Sequence, residues 1–308
     1  MQVKKTIILL ILFLFGYTAF SQEIDKNKLF EQSGYKFPYL LTEPNNSWKL
    51  PDKLVEVSGL TYYDKNELAL VQDEKGNIYF FDITTGKVTD KIDFSDKGDY
   101  EGIELVNDHI WVLESNGNLF RIKYSKKDKS YKTKDYKTDL SKKNDTEGLA
   151  FDRIGNRLLI ACKGHPYIDD EKGKNKRAVY SFDLEEEKLS KKPVIKFDLK
   201  QIKELKKLNT MAKLGVDLLT FINPSKGDVS FQPSGIAIHP QTGNIYLLAS
   251  VGKLLIVCND EGDFLAVIKL KSSLFNQPEG ICFDPDGNLY ISNEGDDFAA
   301  TILKFHPN

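Results

Sequence analysis

Three glutamates recur in one local setting: Glu101-Gly102-Ile103, Glu147-Gly148-Leu149 and Glu279-Gly280-Ile281 each place a carboxylate before a glycine and an aliphatic residue. Ser58-Gly59-Leu60 and Ser234-Gly235-Ile236 carry a hydroxyl in the same place. Two carboxylates about 6 Å apart, at an effective dielectric of about 20, repel by roughly 3 kcal/mol. A fold that gathers all three must protonate one or more of them or supply a cation. A hard cation with oxygen ligands answers that need, Ca2+ ahead of Mg2+. Glu101, Glu147 and Glu279 are therefore candidate metal ligands, and Asp73, Glu114, Asn293 and Glu294 could add further oxygens. The alternative is that each glutamate caps backbone N–H groups or pairs with a lysine, Lys163 being the obvious one.

Those acids are distant in sequence, so a particular architecture must bring them together. The five glycines are 43, 46, 87 and 45 residues apart. Self-similarity at a period of about 40–45 residues is the signature of a β-propeller, with one four-stranded blade per repeat. Each repeat reads as short runs rich in β-branched and aromatic residues, such as Glu67 to Gln72 and Asn77 to Ile83, separated by turn chemistry such as Thr84-Thr85-Gly86. The chain is thus expected to be all-β, a single propeller domain over 22–308. Five blades are expected at approximately 57–95, 101–140, 147–198, 234–271 and 279–306.

The 87-residue interval leaves a six-bladed ring as the alternative. The surplus reads instead as two insertions, a charged loop within 163–177 and a segment over 199–231. In the latter, Leu199, Ile202, Leu205, Leu208 and Met211 recur every three residues, as in an amphipathic helix between blades 3 and 4. The last blade lacks a fourth strand, and open sheet edges invite aggregation. The unused β-capable stretch within 37–50 is expected to supply that strand and close the ring.

In a propeller, the start of the first strand, the end of the second and the connection from the fourth onward share one face. Ser58, Ser234, Ser250 and Lys163 should then line the mouth beside the glutamates. Loops on a rigid scaffold are where binding sites usually lie. His165 falls in a mouth-facing loop, and it and Glu114 are the candidate general bases, with an ordinary polar loop histidine as the alternative. Asp284-Pro285-Asp286-Gly287-Asn288 reads as a hairpin turn, because it lacks the length and closing glutamate of a calcium loop. Trp48 and Trp111 read as packing residues.

Residues 1–21 have the three-part pattern of a secretory leader: Lys4 and Lys5, the apolar run Thr6 to Phe15, and Ala19-Phe20-Ser21 before a cut. The mature protein is expected to be exported (periplasmic, cell-surface or extracellular), not integral to the membrane, and monomeric. An uncleaved N-terminal anchor is the alternative. The net charge of −2 is made of 43 basic and 45 acidic residues with no single basic face, which speaks against nucleic acid. Cys162, Cys258 and Cys282 are an odd count on apolar runs, expected as buried free thiols.

At Val57-Ser58-Gly59-Leu60-Thr61, Tyr100-Glu101-Gly102-Ile103, Thr146-Glu147-Gly148-Leu149-Ala150, Pro233-Ser234-Gly235-Ile236 and Gln277-Pro278-Glu279-Gly280-Ile281 the chain resembles the SdiA-regulated family of bacterial β-propellers. The resemblance implies a five-bladed ring with a calcium site, distantly similar to NHL-repeat propellers and to paraoxonase and gluconolactonase enzymes. The Asn-rich calcium shell of those lactonases is not evident here. The function expected is that of a calcium-binding propeller that binds a small ligand or envelope protein at its loop-bearing mouth. A metal-dependent lactonase, esterase or phosphoesterase and a structural envelope module are the alternatives.

Overall fold

A computed structural model describes residues 35–169, 173, 175–199, 231–295 and 298–308. The leader-like segment and most of the amphipathic stretch after Leu199 lie outside the described residues.

Five antiparallel sheets succeed one another along the chain. Blade 1 is β2 (Val57–Asp64), β3 (Glu67–Gln72), β4 (Lys75–Asp82) and β5 (Lys87–Lys97); blade 2 is β6 (Tyr100–Val106), β7 (His109–Glu114), β8 (Leu119–Ser125) and β9 (Ser130–Tyr136). Blade 3 is β10 (Thr146–Asp152), β11 (Arg157–Cys162) and β12 (Lys176–Asp183), with its outer position split between β13 (Lys188–Leu189) and β14 (Ile195–Asp198), both paired to β12. That split outer strand accounts for part of the long glycine interval without another blade. Blade 4 is β15 (Gly235–Ile238), β16 (Ile245–Ala249), β17 (Leu254–Cys258) and β18 (Phe264–Lys269).

Blade 5 has three strands of its own: β19 (Pro278–Phe283), β20 (Leu289–Asn293) and β21 (Thr301–Phe305). Its fourth is β1 (Asn46–Lys49), antiparallel to β21 with Asn46 opposite Lys304 and Lys49 opposite Thr301. The N-terminal strand therefore closes the ring. Bonds from Asn45 N to Lys304 O (2.8 Å) and Leu50 N to Ala300 O (2.8 Å) extend the zipper at both ends.

The inner strands β2, β6, β10, β15 and β19 touch one another in turn, and β19 returns to β2. The core is five apolar wedges, one between each pair of neighbouring blades. Between blades 1 and 2, for example, Val71, Ile78 and Phe80 pack on Ile103, Ile110 and Val112. Outer strands are polar instead: β9 reads Ser-Tyr-Lys-Thr-Lys-Asp-Tyr and exposes all but Tyr136, a charged edge that discourages pairing with other chains. The three cysteines are free and buried. Trp111 is buried among Tyr136, Phe182 and the Arg121 guanidinium, and Trp48 meets Phe81 edge-on, so both pack. Among the described residues no helix is long and apolar enough to cross a membrane.

Candidate functional site at the mouth of the ring

Pairing of the first two strands breaks at the recurring motif. Register shifts fall between Val57 and Gly59, Tyr100 and Gly102, Thr146 and Gly148, and Pro278 and Ile281. Ser58, Glu101, Glu147 and Glu279 thus lie within the inner strands, at bulges, rather than ahead of them. A bulge re-aims a side chain out of the pleat. In blade 4, Ser234 sits just before β15, its N–H bonded to Leu248 O at 2.8 Å. All five residues line one axial cavity of about 10 Å3, roughly the room of a single water.

The serines and glutamates at this position do different work. Ser58 Oγ donates to Tyr100 O at 2.5 Å and Ser234 Oγ to Pro278 O at 2.7 Å. Each serine ties its blade to the next, at the residue preceding the next glutamate or its bulge. The glutamates carry the charge. Burial, then Glu147 and Asp99, push the Glu101 carboxyl far above the usual carboxylate range. Burial and the nearby Glu147 push Glu279 up to about 8, against the pull of Lys163 and a Ser250 hydrogen bond.

Glu147 is buried and accepts Lys163 Nζ at 2.6 Å. Burial still raises it, with Lys163 pulling back. Burial works against the Lys163 charge, but Glu147, Asp145 and Glu279 more than offset it and hold it protonated. The pairing follows from local backbone. Asp145 adopts a left-handed φ of 50°, and Lys163 N bonds Asp145 O at 2.8 Å, which continues the β10–β11 ladder past its end and sets Lys163 beside Glu147.

The acids act on one another across the mouth. Asp73 is pushed up to about 6 by burial and by Glu56 and Glu294; Glu294 in turn bears on Glu279, and Glu279 and Asp99 on Glu101. Asp73 Oδ1 and Asn293 Oδ1 are buried without a hydrogen-bond partner. The donors are hard oxygens, which suits Ca2+ or Mg2+. Among the described residues, however, no three Asp, Glu, His or Cys side chains converge closely enough to hold a metal, and Lys163 occupies Glu147.

The candidate bases stand apart from this cavity. Glu114 Oε2 accepts Asn118 Nδ2 at 3.0 Å within a turn. His165 lies in a loop pinned by Asn144, with Nδ1 3.1 Å from Tyr167 O and Nε2 buried and unbonded. Neither lines the mouth. Asp99 and Asp145, whose charges bear on Glu101 and Glu147, are acids that the motif reading missed. Each lies two residues ahead of a motif glutamate, in the connection that the topology sends to this face.

Beside the axis, toward blades 4 and 5, a wider cavity of about 310 Å3 opens on the same face. Ser250, Lys163 and Glu279 line it, as do Gln232, Lys253, Asn276 and Gln277, which were not singled out in sequence.

A family profile described as SdiA-regulated matches residues 42–300. The chain belongs to the SdiA-regulated family. No curated protein matches it in sequence. Among solved structures, glutaminyl cyclase from Myxococcus xanthus is 11% identical, with 86% of this chain and 95% of that one covered at a TM-score of 0.53. The PQQ-bound aldose sugar dehydrogenase from Streptomyces coelicolor is 12% identical, covering 86% and 98% at a TM-score of 0.51. At such identities the likeness is one of fold alone.

Farther along the inner strands, Glu104 ties this family member's ring together. Its Oε1 accepts Thr61 Oγ1 (2.8 Å) from blade 1 and Leu105 N (2.9 Å), and its Oε2 accepts Phe151 N (3.3 Å) from blade 3. Burial outweighs these bonds and pushes the carboxyl up to about 7, from an ordinary 4.5. The folded state therefore keeps a proton that the unfolded chain releases. This contribution is fully present below pH about 4.5 and is lost as pH rises through about 7, by at most about 3 kcal/mol. Glu104→Gln should flatten that loss. Urea unfolding between pH 5 and 8 is expected to show a shallower decline in the variant than in the parent, and equal slopes would refute it.

Proposed function

We propose that this protein is an exported binding propeller whose mouth takes a small polar ligand together with a hard divalent cation, Ca2+ ahead of Mg2+. One observation carries the reading: glutamates from blades 2, 3 and 5 share a single throat, each held above the ordinary carboxylate range by burial and by its neighbours. A site that strains to keep protons is a site that gains from a cation. Glu101, Glu147 and Glu279 would have to draw closer than they stand here to hold the ion, whose role is to neutralise the throat. Lys163 must first release Glu147, so the ammonium and the metal compete for one carboxylate. Export rests on the leader-like residues 1–21, and N-terminal sequencing of the mature protein checks it.

Calcium titration of the purified protein, followed by calorimetry and thermal unfolding, tests the metal. At a hundredfold excess over its Kd, an ion bound only by the folded state adds about 2.7 kcal/mol, or roughly 5–10 °C in Tm. Lys163→Met is expected to lower Tm in chelator, since it strands Glu147, and to bind Ca2+ more tightly than the parent. Millimolar Ca2+ that leaves Tm unchanged in both proteins would sink the proposal.

A further inference from the structure

The 310 Å3 cavity has a chemistry of its own. Its volume lies at the lower end of the range for small-molecule sites, about 300–1,000 Å3. Among the described residues its walls carry hydroxyls and amides, from Ser234, Ser250, Gln232, Asn276 and Gln277, with Val251 as the one large apolar side chain and no aromatic ring. Such a wall suits a hydroxyl-rich molecule better than an apolar one.

Two ammonium groups reach the cavity and differ in standing. Lys163 already holds Glu147 at 2.6 Å. Lys253 bonds the backbone carbonyl of Asn276. Burial holds the Lys253 ammonium below the usual lysine range, and the pull of Glu279 only partly offsets it. Burial, and then Lys253 nearby, depress the proton affinity of Lys269 as well, whose ammonium bonds Gly252 O at 2.6 Å. A partly buried cation whose bonded partner is a neutral carbonyl, with a second cation behind it, stabilises an incoming anion more than an already neutralised pair would.

We propose that this cavity binds a small hydroxylated monocarboxylate, with the carboxylate on Lys253 and the hydroxyls on the amide and serine wall. The inference rests on reading the mouth as a ligand site, and it adds the ligand's class. An ammonium whose bonded partner is a neutral carbonyl matches a single negative charge, and a described wall with one aliphatic side chain, Val251, and no aromatic ring argues against a fatty or aryl acid.

The test uses D-gluconate and D-glucuronate as acids, D-glucose and sorbitol as neutral counterparts, and hexanoate as an acid without hydroxyls. Binding to the full protein is followed by calorimetry, with and without Ca2+. At least one hydroxy acid should bind about tenfold or more tightly than its neutral counterpart and than hexanoate, and Lys253→Met should remove that advantage. Tm of the variant and its Ca2+ titration report separately whether the fold and the throat survive. Lys253→Gln, which keeps a donor but not the charge, should lose the preference for acids while neutral binding stays. Equal binding of acids and neutral polyols, or acid binding indifferent to both substitutions, overturns the inference. If Ca2+ still stabilises the protein while the hydroxy acids fail, the ligand class alone is wrong; if neither binds, the reading of the mouth falls with it.

Discussion

Gly235→Ala is expected to destabilise the propeller by about 3 kcal/mol, at the upper end of what overpacking costs, and to lower Tm by roughly 6–12 °C. A Cβ at this position would stand 2.6 Å from the Glu279 carbonyl oxygen and 3.0 Å from Ile281 Cγ2. The obstacle is the backbone of the neighbouring inner strand, which cannot step aside without opening the ring. Gly148 faces the same difficulty from Ile236 N at 2.8 Å, whereas the nearest atoms at Gly59 are at 3.2 Å. Chemical denaturation should therefore rank Gly235→Ala and Gly148→Ala well below Gly59→Ala in stability. A Gly235→Ala protein within about 0.5 kcal/mol of the parent would mean the inner strands are not packed backbone to backbone, and a Gly59→Ala protein equally damaged would mean these spacings do not set the cost.

A chain that begins at Pro51 is expected to lose the closed ring altogether. It would lack β1, leaving the edge of β21 unpaired, a template for pairing with other copies. It would also lack Tyr39, Leu41 and Leu50, which are buried against blades 4, 5 and 1. Three such side chains contribute about 1.5–3 kcal/mol each, a sum comparable with the whole net stability of a domain, about 5–15 kcal/mol. Light scattering should show larger species than the parent or precipitate, and a synthetic 35–50 peptide added in trans should restore the parent's size by strand addition. A Pro51 chain that keeps the parent's size and melts like it would show that the strand decorates the ring and does not close it.

The architecture was legible because its determinant is local and repeated. Inner strands lie so close to their neighbours that a side chain is crowded at Gly102, Gly148, Gly235 and Gly280 and tight at Gly59, so these five glycines print the period directly into the sequence. The closing strand was legible by subtraction, since the last repeat ran out of strands. The residues of the mouth were partly legible: the motif marks which side chains stand at the axis. Their bonding was not. Whether Glu147 meets a metal or Lys163 depends on a left-handed residue at Asp145 and on how far β11 continues past its ladder, neither of which leaves a periodic trace. The bulges that turn Ser58, Glu101, Glu147 and Glu279 out of the pleat leave none either. Lys253, Asn276 and Gln277 were invisible for a further reason. Their cavity lies between blades, and no single repeat contains it.

Because Asn46 pairs with Lys304, the strands that lock the ring are among the first and the last to be made. About 250 residues separate them, on the order of 10–50 s of synthesis at 5–20 residues per second. Until then every partly made ring is a crescent with two raw ends, one of them the inner face of blade 1 awaiting β19. A nascent chain held extended for transport through a membrane would be spared that interval.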